Sequence, residues 1–287
     1  MNKTIGILYI CTGPYYLFWK DFFESFEKNF LREYKKIYFV FTDNDNVYQC
    51  NNPRVKIIPI KNLPWPLITL FRFNYFLQIE DELSECDYLM FSNANMICGV
   101  EIKPNEFLPR ENKGEKISVT LHPGYYAKSK LYYPYERNKK SKAYIPWNCG
   151  EKYVIGAMYC GVRQDFLKMS KELSLNIEED LKNNIIASWH DESHLNRYIL
   201  NKNKIRFLSP EYCFPVGMNV NYSKKIYAVS KEDKFDIRAF KGQYIIKQNG
   251  IERIIGKLRK KLMLKEYIFF LYDFITMKKV GDFHNGE

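Results

Sequence analysis

Apolar runs at residues 5–11, 36–42, 55–59, 88–91 and 117–121 are short, continuous and closed by polar or turn-forming residues, the pattern of strands buried on both faces. Between the first two, Phe18, Phe22, Phe26 and Phe30 recur at every fourth position and predict a helix from about Tyr16 to Tyr34. A second helix is expected over residues 70–83. A strand at 154–158, turned by Cys160-Gly161, precedes a helix over 164–177, and the helical pattern continues through 176–188 towards a buried helix marked by Leu195, Tyr198, Ile199 and Leu200. Residues 206–208 form the last core strand. Strand, helix, strand alternation predicts an α/β fold with a parallel or mixed sheet, whose ligands are expected beyond the carboxyl ends of the strands. Residues 125–146, rich in Tyr, Lys and Ser, form a long surface segment of the sort that carries function.

Composition narrows this picture. The 287 residues, 46% hydrophobic and 17% aromatic, suit one globular domain, and the rings are numerous enough to line clefts as well as fill a core. Seven scattered cysteines give neither a disulfide framework nor a zinc spacing, so a reduced, cytoplasmic setting is expected. Thr12, Gly13 and Pro14 interrupt the first apolar run too early for a signal peptide or a membrane span. A net charge of +11 calls for an acidic partner, which nucleic acid, an anionic membrane surface or a phosphorylated substrate would each supply. Towards the end, Ile254, Ile255, Leu258 and Leu262 alternate with Arg253, Lys257, Arg259, Lys260 and Lys261, the pattern of a basic amphipathic helix. The chain is therefore divided into a catalytic domain, residues 1–246, and a basic tail, residues 247–287. The tail is expected to make a peripheral membrane contact or to pack against the domain or a second subunit.

Two clusters carry candidate chemistry. Trp189-His190-Asp191-Glu192-Ser193-His194-Leu195-Asn196 places charged and ring-nitrogen groups at the head of a buried helix, where an unpartnered carboxylate costs several kcal/mol unless a cleft needs it. His190 and His194, at i and i+4, share a helix face in the manner of zinc sites, although the order His-Asp-Glu-Ser-His departs from His-Glu-x-x-His and no third ligand is obvious. Asp and Ser near a helix start are also ordinary caps. The second cluster, Ser92-Asn93-Ala94-Asn95, follows a buried strand. Its amides can bond sugar or phosphate groups directly but bring no charge to retain a divalent cation; such a pair also caps turns.

Together with Asp87-Tyr88-Leu89, Leu121-His122-Pro123, Tyr135-Glu136-Arg137, Ala143-Tyr144-Ile145-Pro146, Gly156-Ala157 to Gly161 and Leu208-Ser209-Pro210-Glu211-Tyr212, these clusters closely resemble glycosyltransferase family six over residues 5–238. The resemblance implies a GT-A fold, that is, a Rossmann-like nucleotide-sugar-binding mixed sheet flanked by helices in a single domain, here with a basic helical C-terminal tail. It also implies retaining α-1,3 transfer of a galactose-type sugar from a UDP donor to a β-galactoside. Carried over by position, Glu192 is the carboxylate beneath the anomeric carbon, as nucleophile or as electrostatic support. Asp191 bonds donor hydroxyls, while His122 and Trp189, with Glu192, shape the acceptor site. Vertebrate members carry Asp-Val-Asp where this chain has Asn93-Ala94-Asn95; the bacterial branch shows the same exchange and works without metal, so no metal cofactor is expected. Lys231, with Arg238 nearby, then closes over the diphosphate, Arg72 lies near the donor, and Tyr15 and Cys11 complete the nucleotide pocket. Ile155, Gly156 and Ala157 decide whether an N-acetyl group fits. Ala157 resembles the galactose-using B member, whereas bacterial members tend to use N-acetylgalactosamine; UDP-GalNAc is the expected donor and UDP-Gal the alternative. The acceptor is expected to be a β-galactoside, 2′-fucosylated so that the product is blood-group-A-like. The dispersed lysines and the lack of a nucleic-acid module weigh against a nucleic-acid partner, and a sugar- or membrane-binding protein without catalysis remains the competing class.

Overall fold

The computed structural model describes residues 3–200, 202–215 and 223–242. Seven strands form one sheet in the order β3-β2-β1-β4-β7-β6-β8: β1 (Thr4–Ile10), β2 (Lys35–Thr42), β3 (Val55–Pro59), β4 (Tyr88–Ser92), β6 (Ile117–Leu121), β7 (Val154–Val162) and β8 (Ile205–Leu208). A three-stranded sheet of β5 (Met96–Cys98), β10 (Ile226–Ala228) and β9 (Phe214–Pro215) adjoins it. The helices are α1 (Trp19–Asn29), α2 (Leu67–Leu70), α3 (Arg72–Gln78), α4 (Pro104–Phe107), α5 (Arg163–Lys182), α6 (His190–Ile199) and α7 (Ile237–Gly242).

The main sheet is mixed, in one α/β domain of the GT-A kind. β1 runs parallel to β2 and β4, β7 runs antiparallel to both β4 and β6, and β6 pairs parallel with β8. Consequently β1, β4 and β6 end at the same edge where β7 begins. Alternation along each strand divides the core into two layers. Ile7, Tyr9, Tyr38, Val40 and Met90 pack with Phe22, Phe26 and Phe30 on the α1 side, whereas Leu8, Phe39, Phe41, Leu89 and Phe91 meet Phe73, Phe76 and Phe166 on the side of α3 and α5.

Several elements differ from the sequence pattern. The first helix starts late, after a 3-10 turn at Gly13–Phe18, and stops at Asn29. Phe30 is already extended, and Leu31 takes a φ of 41°, so the fourth phenylalanine reaches the core from outside the helix. The helix expected over 70–83 is two short ones that meet at Phe71 and end at Gln78. α5 does not run on to 188: it ends at Lys182, and Asn184, with φ 55°, turns the chain into a loop. β7 extends to Val162, well past the predicted end. Of residues 206–208, read as core, Leu208 is buried in the core while Arg206 and Phe207 are half-buried on the sheet edge in β8, and β5, β9 and β10 have no counterpart in the apolar pattern. Segment 125–146 carries only a single 3-10 turn, Lys130–Tyr132. Among the described residues no helix is long and apolar enough to cross a membrane. The basic tail, and with it the expected membrane contact, lies outside the described residues.

Candidate active site

The cleft of this molecule opens at the edge where β1 and β4 end. It encloses about 790 Å³, part of it open to solvent, and Tyr15, Arg72, Asn93, Asn95 and Lys231 all line it, joined by Thr12, Asn62, Trp65, Thr69 and Phe240. Lys231 places its ammonium 5.3 Å from the centre of the Tyr15 ring. It is held there by a clasp at the end of β4: Asn95 Nδ2 donates to the Val229 carbonyl at 2.7 Å, and the Val229 N–H donates back to the Asn95 carbonyl at 2.9 Å. Past this clasp, Lys234 pairs with Asp21 at 3.0 Å and Phe235 packs on Tyr15 with ring centres 5.2 Å apart. Residues 226–240 thus form a strap across the mouth of the cleft. Arg238 falls on α7, and its side chain lies outside the described atoms. Cys11 lies beneath the cleft floor, wholly buried among core side chains, and burial pushes its thiol up to about 12. Its neighbours Ile10 and Thr12 reach the cleft instead.

Asp191, Glu192, Ile155, Gly156 and Ala157 do not line this cleft; they lie behind Arg72, where α6 packs against the start of β7. The side-chain amide of Asn196 imitates a neighbouring strand: its oxygen accepts the Val154 N–H at 3.0 Å and its nitrogen donates to the Val154 carbonyl at 2.9 Å. This docking brings Asp191 and Glu192 alongside Gly156. A side chain at Gly156 would place Cβ 3.0 Å from Asp191 Oδ2 and 3.1 Å from Glu192 Cβ, so the close approach depends on glycine.

Arg72, buried to 5% exposure, donates from Nη1 to the Gly156 carbonyl at 2.8 Å and pairs with Asp191 Oδ2 at 2.9 Å, while its guanidinium lies 4.2 Å from the Phe91 ring centre. Burial raises the Asp191 carboxyl, and Arg72 opposes that rise. Glu192 is held differently. Tyr153 donates its hydroxyl to Oε1 at 2.7 Å and the Gly156 N–H donates to Oε2 at 2.8 Å. Burial raises this carboxyl to about 7, against the opposing pull of those two donors. Asn93 joins the cleft to this region, its N–H donating to the Ala157 carbonyl at 2.9 Å, and Ala157 is itself buried. Ile155 lies between these contacts, half-buried.

On the other side of Glu192 lies an aromatic surface. His122, at the end of β6, packs on Tyr125 and Tyr153 with ring centres 4.8 and 5.6 Å away, and its Nδ1 accepts the Gly124 N–H. Burial lowers its imidazole to about 4, so it is neutral at ordinary pH. Trp189, the residue before α6, is 49% exposed. Segment 125–146 is stapled down by two buried carboxylates: Glu136 accepts from Ser188 N and Oγ, at 2.6 and 3.0 Å, and Asp180 accepts from Ser141 Oγ and Lys142 N, at 2.5 and 2.7 Å.

The histidine pair does not share a face. His190 takes a left-handed φ of 52°, a conformation costly for a residue with a side chain, and its ring packs edge-on against Trp65 at 4.6 Å. His194 points the other way, buried, with Nε2 3.5 Å from Asp180 Oδ2. Among the described residues no three His, Cys, Asp or Glu side chains gather in a way that could hold a metal ion. Sequence reasoning missed Tyr153, Asn196, Trp65, Asp180 and the staple role of Glu136. Asn196 stood in the Trp189 motif, but a lone amide one turn past the carboxylates carries no signal of docking, and Tyr153 was legible only as an aromatic before a strand.

Comparison with known proteins matches residues 1–238 to the family described as glycosyltransferase family 6. The chain is 37% identical over 229 residues to the O-antigen biosynthesis glycosyltransferase WbnI of Escherichia coli, covering 80% of this chain and 95% of that protein. It is 33% identical over 222 residues to histo-blood group ABO system transferase 2 of Rattus norvegicus, covering 74% of this chain and 63% of that one. With globoside alpha-1,3-N-acetylgalactosaminyltransferase 1 of Gallus gallus the identity is 32% over 219 residues, 74% of this chain and 62% of the relative. The chain thus spans nearly all of the bacterial relative and less than two thirds of these two vertebrate ones.

Proposed function

This chain belongs to glycosyltransferase family 6, and from that premise we propose that it transfers N-acetylgalactosamine, with retention, from UDP-GalNAc to the 3-hydroxyl of a β-galactoside without a metal ion. The observation that carries this reading is the pairing of a part-exposed carboxylate, Glu192, with a cleft that bears an ammonium, Lys231, and an amide, Asn93, at the ends of the central strands. Both routes to retention need a carboxylate on the sugar face opposite the leaving group, either to form a glycosyl-enzyme bond or to stabilise the oxocarbenium-like transition state. Two donors, one on each oxygen, fix the Glu192 carboxylate, which supports that role. The diphosphate, as it leaves, takes charge-assisted bonds from Lys231 and neutral ones from Asn93, a donor set that offers amide and ammonium groups where a cation would want carboxylates. Arg72 and Asp191, locked together, shape the donor floor and present Asp191 to sugar hydroxyls. His122, Tyr125 and Trp189 supply ring faces to the acceptor galactose.

Ala157 favours a second reading. Ala157 is buried with its carbonyl on the Asn93 N–H, and its resemblance to the galactose-using member makes UDP-Gal the alternative donor. A single methyl discriminates by only about 1–3 kcal/mol. A panel of UDP-GalNAc and UDP-Gal against lactose and 2′-fucosyllactose, run with excess EDTA, decides donor, acceptor and metal dependence together; a strict Mn²⁺ requirement would overturn the metal-free reading. Glu192→Gln is expected to lower transfer by roughly 10³-fold while UDP-sugar binding by calorimetry stays intact. Unchanged turnover in that variant would remove the catalytic role and leave a sugar-binding protein.

A further inference from the structure

Tyr153 reaches Glu192 from outside the motifs that single out the site. It immediately precedes β7, its side chain is buried to 2% exposure, and its hydroxyl meets Oε1 while the Gly156 N–H meets Oε2. One donor on each oxygen fixes the plane of a carboxylate as well as its position. The phenol ring has nowhere else to go: Tyr125, Tyr135 and Tyr133 surround it with ring centres 5.2, 5.4 and 6.0 Å away, and its own carbonyl accepts the His122 N–H at 2.9 Å. We propose that Tyr153 is a positioning residue for sugar transfer, its hydroxyl holding Glu192 in the reactive orientation and tying the carboxylate to the aromatic surface that seats the acceptor. The proposal rests on the role of Glu192 given above.

The hydrogen bond also favours the ionised form of Glu192, because a hydroxyl donates more strongly to a carboxylate than to a carboxylic acid. Other groups act on the same carboxylate from every side: Arg72 on α3 favours its charge, Asp191 on α6 itself disfavours it, and the Tyr125 hydroxyl and the Cys213 thiol, from the segments after β6 and β8, lie within electrostatic reach. Of these side chains, Tyr153 is the one that donates to Glu192 directly.

Tyr153→Phe keeps the ring and removes the donor. The expected result is a fall in kcat of roughly 10- to 100-fold with donor KM changed by less than about threefold. The acidic limb of the kcat/KM profile should also move up by about one pH unit. A ring that served packing alone would not move that limb, so a folded Tyr153→Phe enzyme with wild-type kcat and an unmoved limb overturns the proposal. If the phenylalanine variant does not fold, 3-fluorotyrosine placed at position 153 keeps the ring and strengthens donation; the limb must then move to lower pH, and an unmoved limb overturns the proposal equally. Glu192→Gln run alongside separates the two readings. Lost transfer in that variant with normal Tyr153→Phe kinetics removes only the positioning role, whereas retained transfer removes the role of Glu192 itself.

Discussion

Asp191 and Glu192 are adjacent on one turn of α6, yet their surroundings treat them in opposite ways. Asp191 is sealed at 6% exposure against a buried guanidinium, which opposes the rise that burial gives its carboxyl. Glu192, next along, is part-exposed and held by a phenol and a main-chain N–H, both neutral. An ionic partner neutralises a carboxylate and builds structure with it. Neutral donors orient the carboxylate while leaving its charge available to a developing cation. The difference supports the proposed division of work, with Glu192 at the reacting centre and Asp191 on the donor floor.

Removing the ionic partner should break this contrast most severely. Arg72→Met leaves Asp191 buried and unpaired, so a stability loss of about 3–5 kcal/mol is expected in denaturant unfolding, with transfer lost too. Adding Asp191→Asn should return much of the stability and little of the activity; a double variant as active as wild type would show that the pair is only structural.

pH provides the next test. Glu192, raised to about 7 in the folded protein, sits above the roughly 4.3 of an unfolded chain, so the folded state keeps its proton longer. Its contribution to stability is full below about pH 4 and is lost as pH rises through 7, whereas kcat/KM rises over that range as the carboxylate ionises. Between about pH 5 and 8 the wild type should lose on the order of 2 kcal/mol relative to Glu192→Gln in unfolding free energy. A pH-independent difference would place that ionisation elsewhere.

The smallest effect is expected at the cleft mouth. Asn95→Ala removes one side-chain bond to the strap while the main-chain bond to Val229 remains, so about 1 kcal/mol is lost and donor KM rises about fivefold with kcat little changed. An unchanged donor KM would separate the clasp from donor binding.

What the sequence disclosed follows from which forces act locally. Strands β1, β2, β4 and β6 were legible because both of their faces are buried, which writes a continuous apolar run, and the edge strand β3 was legible from Val55, Ile57 and Ile58 although Lys56 and Pro59 are exposed. Arg72 was legible at the head of its helix, and it lines one cleft with Asn93, Asn95, Lys231 and Tyr15, whose donor role is the proposal above. The ends of α1 and α5 were not legible, since Leu31 and Asn184 leave the helix through left-handed backbone that tertiary contacts impose and periodicity does not encode. β5, β9 and β10 are two or three residues long, too short to write a pattern, and β10 pairs with β5 across more than a hundred positions, which no window of sequence reveals. The expectation that His190 and His194 share a face failed for a similar reason: i, i+4 spacing supposes helical φ at both residues, and His190 does not have it.

The amide of Asn196, gripping Val154 from both sides, has a bearing on redesign. It anchors α6 to β7 one residue before the Ile155-Gly156-Ala157 segment, so the carboxylate and the donor-selecting residues are measured from a common fixed point. Exchanging Ala157 for a smaller or larger residue alters the room for a sugar substituent without resetting where Glu192 stands. If that segment selects the donor as proposed, donor preference is expected to change by substitution at Ala157 while Glu192 stays in register.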